Sequence, residues 1–258
     1  MYNPVLSSVE RQAEIWRRIM QQQRAGVADL CAAFQVSEAT VRRDLDVLAE
    51  QGKIQRVHGG AIATTQAPPE LPALERGGEQ AEAKRAIGRA AAGLVQDGET
   101  IFLGSGTTVL EMTRHLAERR GLTVITNSLL VINALSRLAD LTLVSLGGML
   151  RSSELSFIGH ITEQSLGQLR ADRVFIGIRA VSGEHGLMND YLPETMTDRA
   201  ILTIGRQVVL LADHSKMDRV APAFLAPLSS VQVLVTDGDL PPDQLSKLQS
   251  GGLRVVTV

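Results

Sequence analysis

From residue 79 onward the sequence repeats one alternation, a short run of Val, Ile and Leu followed by a stretch whose apolar residues return at helical spacing. The runs fall at 100–103, 122–126, 141–146, 173–178, 207–212, 231–235 and 253–256. The helical stretches between them fall at 83–95, 109–120, 129–138, 161–169, 194–204 and 242–249. A strand that is apolar on both faces needs cover on both faces, so the expected class is α/β, a mostly parallel open sheet between helices. Ligands of such sheets bind beyond the carboxyl ends of the strands, which makes the turns after these runs the places to look for chemistry.

The first 60 residues have a different texture. Ile15 and Ile19 lie four apart in a helical stretch over 9–23, with Trp16 and Met20 beside them. A second helix is expected over 27–34. After Gln35-Val36-Ser37 a third follows over 38–50, with Ser37 as its N-cap and Gly52 as its stop. Val41, Leu45 and Leu48 share one face of that third helix, with Arg42 and Arg43 to the side and rear and Thr40 on the opposite flank. Two helices split by a tight turn, the second apolar on one side and Arg/Thr-bearing on the other, make a helix-turn-helix. KIQRVHGGA then reads as a strand and a Gly-Gly turn, a wing. The expected organisation is a winged helix-turn-helix at 1–60, a Pro-containing linker at 61–78 and an α/β domain at 79–258.

Composition limits the chemistry. A net charge of −2 excludes a chain coated in basic residues, so any nucleic-acid contact has to come from a local patch. Cys31 is alone and sits on the apolar side of the second helix, a core thiol rather than a redox centre. The five histidines stand at no metal-ligand spacing, so neither metal nor cofactor is expected. No stretch has the order of a signal peptide or the length of a membrane span, and the expected setting is cytoplasmic, with no membrane partner.

In the first domain, arginine's planar fork suits guanine edges and phosphate oxygens, which puts Arg42 and Arg43 first among the candidates. Ser37 and Thr40 at the helix start suit backbone phosphates, and Lys53, Arg56 and His58 place charge and a ring on the wing. The competing reading pairs Arg42 and Arg43 with Asp44, Asp46 or Glu50 on a solvated helix. Charge does not decide between them, since residues 1–60 hold eight Lys/Arg and seven acids.

In the α/β domain the sharpest motif is strand–Gly104-Ser105-Gly106-Thr107-Thr108–helix. Glycines admit an anion close to the backbone, helix-start N–H groups point at it, and three hydroxyls add donors. The motif lacks the Lys-Ser/Thr of a Walker loop, and Val109 replaces the third glycine of a dinucleotide fingerprint. Asn127 with Ser128 ends a second strand, as ligand or as simple N-cap. Gly147-Gly148 opens space after a third. Glu194 and Lys216 border apolar segments further on. Asp213-His214-Ser215 has the letters of a triad, but sequence neighbours cannot form the relay, and Ser105 lies in no nucleophile elbow.

The run VADLCAAFQVSEATVRRDLDVLAEQGKIQRVHGGA closely resembles the N-terminal signature of the DeoR/GlpR family of sugar-operon regulators. AKRAIG, DGETIFLGSGTT, TVITNS, LGG and LLADHSK extend the resemblance over nearly the whole chain. It implies Ser37, Thr40, Arg42 and Arg43 at operator DNA, with Arg56 and His58 on the wing. It also implies a sensor half similar to the sugar-phosphate isomerase and CoA-transferase fold. There Ser105, Gly106, Thr107, Thr108, Asn127, Gly147, Gly148, Glu194 and Lys216 would line a phosphosugar pocket. Two departures bear on which ligand fits: Gly104 where the family often has Asp, and ETMTDRAI where it often has a Lys after the acid.

The function expected is a repressor of a carbohydrate-utilisation operon, a homo-oligomer (dimer or tetramer) released from DNA by a phosphorylated sugar, and no enzyme. The alternative is a sugar-phosphate isomerase with an appended regulatory domain, with Glu194 or Asp213 as its general base.

Overall fold

Ser7 opens the first helix as its own cap. Its hydroxyl accepts the Glu10 backbone N–H at 3.3 Å, while the Glu10 carboxylate accepts the Ser7 N–H at 2.9 Å, satisfying two donors reciprocally. The computed structural model describes residues 6–50, 52–64, 67, 71–238, 240, 246, 248–249 and 252–258, and the chain divides into two units, Met1–Glu70 and Leu71–Val258.

The first unit runs α1 (Ser8–Gln22), β1 (Arg24–Gly26), α2 (Val27–Phe34), α3 (Glu38–Glu50), β2 (Ile54–Val57) and β3 (Gly60–Ala63). Ile15, Ile19, Leu30, Val41, Leu45, Leu48 and Ile54 form its buried core, as the helical spacing predicts. An acid lies on that same stripe. Asp44 is buried and accepts from Arg11 Nε at 2.6 Å and Gln12 Nε2 at 2.9 Å, which ties α3 to α1. The wing is a three-stranded antiparallel sheet in the order β1-β3-β2, where the sequence promised only a hairpin. Three residues of Arg-Ala-Gly are too short to carry a strand period. Their pairing explains the second wing glycine, because a Cβ on Gly60 would sit 2.2 Å from the Ala25 carbonyl oxygen.

The second unit continues with α4 (Ala81–Gly93), β4 (Thr100–Leu103), α5 (Thr107–Met112), β5 (Leu122–Thr126), α6 (Leu129–Leu135), β6 (Leu141–Ser145), β7 (Met149–Arg151) and β8 (Ser156–Ile158). Then follow α7 (His160–Leu166), β9 (Ala171–Gly177), β10 (Ala180–Ser182), β11 (Gly186–Asn189) and α8 (Leu192–Ile204). The unit closes with β12 (Gly205–Leu211), β13 (Ala223–Ala226), β14 (Val233–Thr236) and β15 (Arg254–Thr257). Seven strands, one for each apolar run, form a wholly parallel sheet in the order β15-β14-β12-β9-β4-β5-β6. Two cores pack on its opposite faces, one around Phe102 and Ile176, the other around Leu103 and Phe175. Chain order runs outward in both directions from the β4–β9 pair, so the topological switch point lies at the end of β4, where Gly104-Ser105-Gly106 begins.

Several expectations change. The helix expected over 109–120 starts at Thr107 and gives way after Met112 to a 3-10 turn, with the Thr113 hydroxyl bonded to the Leu110 carbonyl at 2.7 Å. The helix expected over 242–249 lies mostly outside the described residues; 246, 248 and 249 are helical. The β7–β8 hairpin and a small antiparallel sheet, β10-β11-β13, had no counterpart in the sequence pattern.

The segment expected as a linker belongs in part to both units. Residues 61–63 are in β3, and residues 73–78 are fastened to the second unit. The Ala73 N–H donates to the Ser153 carbonyl at 2.7 Å, and Arg76 Nη2 meets Glu154 Oε1 at 2.6 Å, both side chains buried. A contact between residues so distant in sequence leaves no local signal. Replacing Glu154 with alanine removes the carboxylate from a buried guanidinium, a change that costs about 3 kcal/mol or more. In calorimetry of the full chain, the transition of the second unit is expected to fall by roughly 6–12 °C. An unchanged transition would mean that this ion pair does not hold the segment.

Candidate functional site

Two of the four acids on α3 are claimed by other elements. Asp44 is held by α1, as above, and Asp46 pairs with Arg56 Nε at 3.1 Å. Arg42 pairs instead with Glu38, one helical turn back at 2.6 Å, with both side chains about 60% exposed. Arg43 is exposed and makes no hydrogen bond or ion pair with a described residue. The pairing of Arg42 and Arg43 with Asp44, Asp46 or Glu50 is therefore not what forms. An exposed i,i+4 pair contributes only about 0.3–0.5 kcal/mol and yields readily to a phosphate.

Ser37 caps α3, accepting the Thr40 N–H at 3.2 Å, and its hydroxyl also bonds the Thr40 hydroxyl at 2.8 Å. Both still face outward at the helix start. Arg56 is half-buried and reaches the Gly60 carbonyl at 3.3 Å as well as Asp46, so it braces the wing. Lys53 is half-buried and His58 exposed. The outcome is a helix with an apolar inner face and an outer one that presents Arg42 and Arg43 among Glu38, Asp46 and Glu50, beside a small sheet.

In the second unit, Gly106 turns the chain at φ 102° from β4 into α5, and Thr107 and Thr108 form the first turn of that helix, largely buried. At six residues α5 supplies a modest dipole, so charge at this point has to come from elsewhere. It comes from Lys84 on α4. Lys84, Thr107, Leu110, Glu111 and Leu130, with Ala73, Leu74, Gly77 and Ala81, line a cavity of about 150 Å³, and the Glu111 carboxylate is paired with Arg114 Nε at 2.9 Å. The Lys84 ammonium is buried and donates to the Arg76 carbonyl at 2.8 Å. Burial holds its pKa below the ordinary lysine value; the charge of Asp213 opposes that shift and Lys216 reinforces it. A desolvated ammonium beside a helix start and a threonine hydroxyl can pair with an anion, with the Glu111 carboxylate, neutralised by Arg114, on the same cavity wall.

Lys84 was missed as a site residue, although a signal existed. It falls with Ile87, Gly88 and Ala91 on the buried stripe of α4, where a lysine has no structural business.

Of the expected pocket residues, Thr107 lines this cavity and Lys216 stands close enough to act on Lys84. Ser105 is half-buried at the switch point. Gly106 and Thr108 flank Thr107 in the same turn, while Gly147, Gly148, Glu194 and Asn127 have partners elsewhere. Gly147 gives its carbonyl to the Thr162 hydroxyl at 2.7 Å, and a Cβ on Gly148 would lie 2.2 Å from that same oxygen, so the Gly pair serves close packing against α7. Glu194 is buried, ion-paired with Arg151, and accepts the Ser156 hydroxyl at 2.7 Å. Asn127 donates to the Phe157 carbonyl at 3.0 Å, while its Oδ1 is buried without a hydrogen-bond partner. Ser128 caps α6. His214 pairs with Asp237 at 2.5 Å, and Asp213 accepts the Ser215 N–H at 3.0 Å, so no Asp-His-Ser relay exists.

Among the described residues no cluster of His, Cys, Asp and Glu is placed to hold a metal ion, and no helix is long and apolar enough to cross a membrane.

The profile of the DeoR-like helix-turn-helix domain matches residues 11–67, and that of the DeoR C terminal sensor domain matches residues 79–238. The chain belongs to the DeoR family. It is 34% identical to the transcriptional repressor AccR of Agrobacterium fabrum over 90% of each chain. It is 34% identical to the glycerol-3-phosphate regulon repressor of Escherichia coli over 92% of this chain and 93% of that one. Among solved structures, ribose 5-phosphate isomerase A of Methanocaldococcus jannaschii aligns with 54% of this chain and 55% of its own, at 20% identity and a TM-score of 0.41. Nothing about chemistry follows from a likeness that distant.

Proposed function

We propose that this DeoR-family chain is a cytoplasmic repressor of a carbohydrate-utilisation operon, released from its operator by a phosphorylated sugar. In this reading α3 lies in the major groove, with Arg42 and Arg43 at bases or phosphates, Ser37 and Thr40 at the backbone, and Lys53, Arg56 and His58 along the wing. The observation that carries it is that Arg42 and Arg43 both project from the exposed side of α3, Arg43 without a bonded partner among the described residues and Arg42 in a solvent-screened pair with Glu38, while Asp44 and Asp46 are engaged by Arg11 and Arg56. The sugar phosphate occupies the Lys84–Thr107 cavity, with Ser105, Gly106, Thr108 and Lys216 around its anionic end. A relative named for the glycerol-3-phosphate regulon supports a phosphorylated compound as the effector.

An isomerase would need an acid or base free to exchange protons with substrate. Glu194 is committed to Arg151 and Ser156, and Asp213 to Ser215, which favours a sensor without turnover. For near-complete release, the sugar phosphate has to favour the DNA-free state by up to about 5.5 kcal/mol.

The test is a mobility-shift assay on DNA upstream of the chain's own gene, titrated with a panel of pentose, hexose and triol phosphates. Retardation reversed by one compound, which the protein leaves chemically unchanged, is expected. No retardation at low salt, or turnover of the compound, would sink the reading.

A further inference from the structure

Gly88 lets α4 and α5 pack against each other with no side chain between them. A Cβ at that position would stand 2.8 Å from the Glu111 carbonyl carbon and 2.9 Å from the Glu111 Cβ. One turn before this contact α4 carries Lys84, and one turn before Glu111 α5 carries Thr107. The close crossing brings Lys84 and Glu111 to one small cavity, where Ala73, Leu74, Ala81, Leu110 and Leu130 make most of the wall apolar. A cation and a carboxylate sharing so small a space would ordinarily pair. Here they do not. Lys84 forms no ion pair with a described residue, and its ammonium is bonded to the Arg76 carbonyl instead.

The Glu111 carboxylate is also short of donors. Arg114 Nε stands 2.9 Å from Oε2 and offsets its charge, yet neither carboxylate oxygen accepts a hydrogen bond from a described residue, and Oε2 is buried. The Arg114 side chain is 69% exposed, so solvent screens the pair and it yields readily to a better-aligned donor. A buried carboxylate oxygen without a donor is costly, and folded chains rarely leave one. The chain supplies none here, which leaves the donor to whatever fills the cavity. The cavity is therefore dipolar, with an ammonium and a carboxylate held apart by apolar wall. Its complement is a molecule with an anionic group and a hydrogen-bond donor separated by a short carbon chain.

We propose that Glu111 selects the effector, accepting a hydrogen bond from a hydroxyl or ammonium group of a molecule whose phosphate is held at Lys84. This role rests on the sensor reading and narrows its ligand to short-chain phosphate monoesters that carry such a donor. The test takes three phosphates of equal chain length: glycerol 3-phosphate, 3-aminopropyl phosphate and n-propyl phosphate. Each is titrated calorimetrically into the full chain without DNA. At least one of the two donor-bearing compounds is expected to bind about 10-fold or more tightly than n-propyl phosphate, the range of a hydrogen bond to a charged group. Glu111→Met keeps the length of the side chain and should shrink that preference to about twofold or less, because no acceptor remains. Lys84→Met should weaken all three compounds. Arg114→Ala removes the competing guanidinium and should keep the preference or widen it. The tighter of the two donor-bearing compounds identifies the group as hydroxyl or ammonium. Equal affinities for all three in the unaltered chain, or a preference that survives Glu111→Met, overturns the role of Glu111 and leaves the anion site standing. Binding of none of the three defeats the anion site and the selection together.

Discussion

Changing Arg42 and Arg43 together to alanine is expected to lower operator affinity at least about 30-fold, since each arginine contact to a base or phosphate is worth roughly 1–3 kcal/mol. The fold should not notice. Both side chains are exposed, and the one interaction lost, Arg42 to Glu38, is a solvent-screened pair. A melting temperature within a degree or two of the unaltered chain therefore accompanies the loss. The single variants divide the work. An arginine on a phosphate contributes about 0.9 to the slope of log affinity against log salt, whereas one on a guanine edge relaxes sequence preference at one position. Should the double variant bind as tightly as the original at 150 mM salt, α3 is not the recognition helix.

The second large effect belongs to Lys84. Lys84→Met keeps the stem and removes the ammonium, and the affinity for inorganic phosphate and for the releasing sugar phosphate is expected to fall about 10- to 100-fold by calorimetry, the range of a charge-assisted hydrogen bond. Release from the operator should then require correspondingly more effector, with DNA affinity in its absence unchanged. Stability carries a separate signature. Because burial depresses the Lys84 pKa, the unfolded chain binds the extra proton between that lowered value and the ordinary 10.5. Stability of the unaltered chain thus gains a contribution as pH rises through that window, and Lys84→Met lacks it. Unaltered phosphate affinity in the variant would move the anion site away from this cavity.

The seven core strands were legible because each is apolar on both faces, a pattern that few other structures produce. The same logic fails for β1, β7, β8, β10 and β13, which hold three or four residues each and gain their order from partners far along the chain. Helix α8 was found, but the identity of its exposed face was not: Leu192 and Met196 look like core residues to any periodicity argument, and only the fold turns them outward. At the site, the glycine turn after β4 was visible in the sequence, while Gly148 and Glu194 turned out to have structural partners in Thr162, Arg151 and Ser156. Lys84 could have been caught by asking why a lysine shares a stripe with Ile87 and Ala91.

Lys84 Nζ can serve two partners at once. It is bonded to the carbonyl of Arg76, in the stretch that opens the second unit, and an ammonium keeps two further N–H groups for an anion in the cavity. An anion that fixes the ammonium in place would then steady the carbonyl it holds. Thermodynamic reciprocity requires in that case that whatever steadies the 71–78 stretch tightens the anion's hold in equal measure.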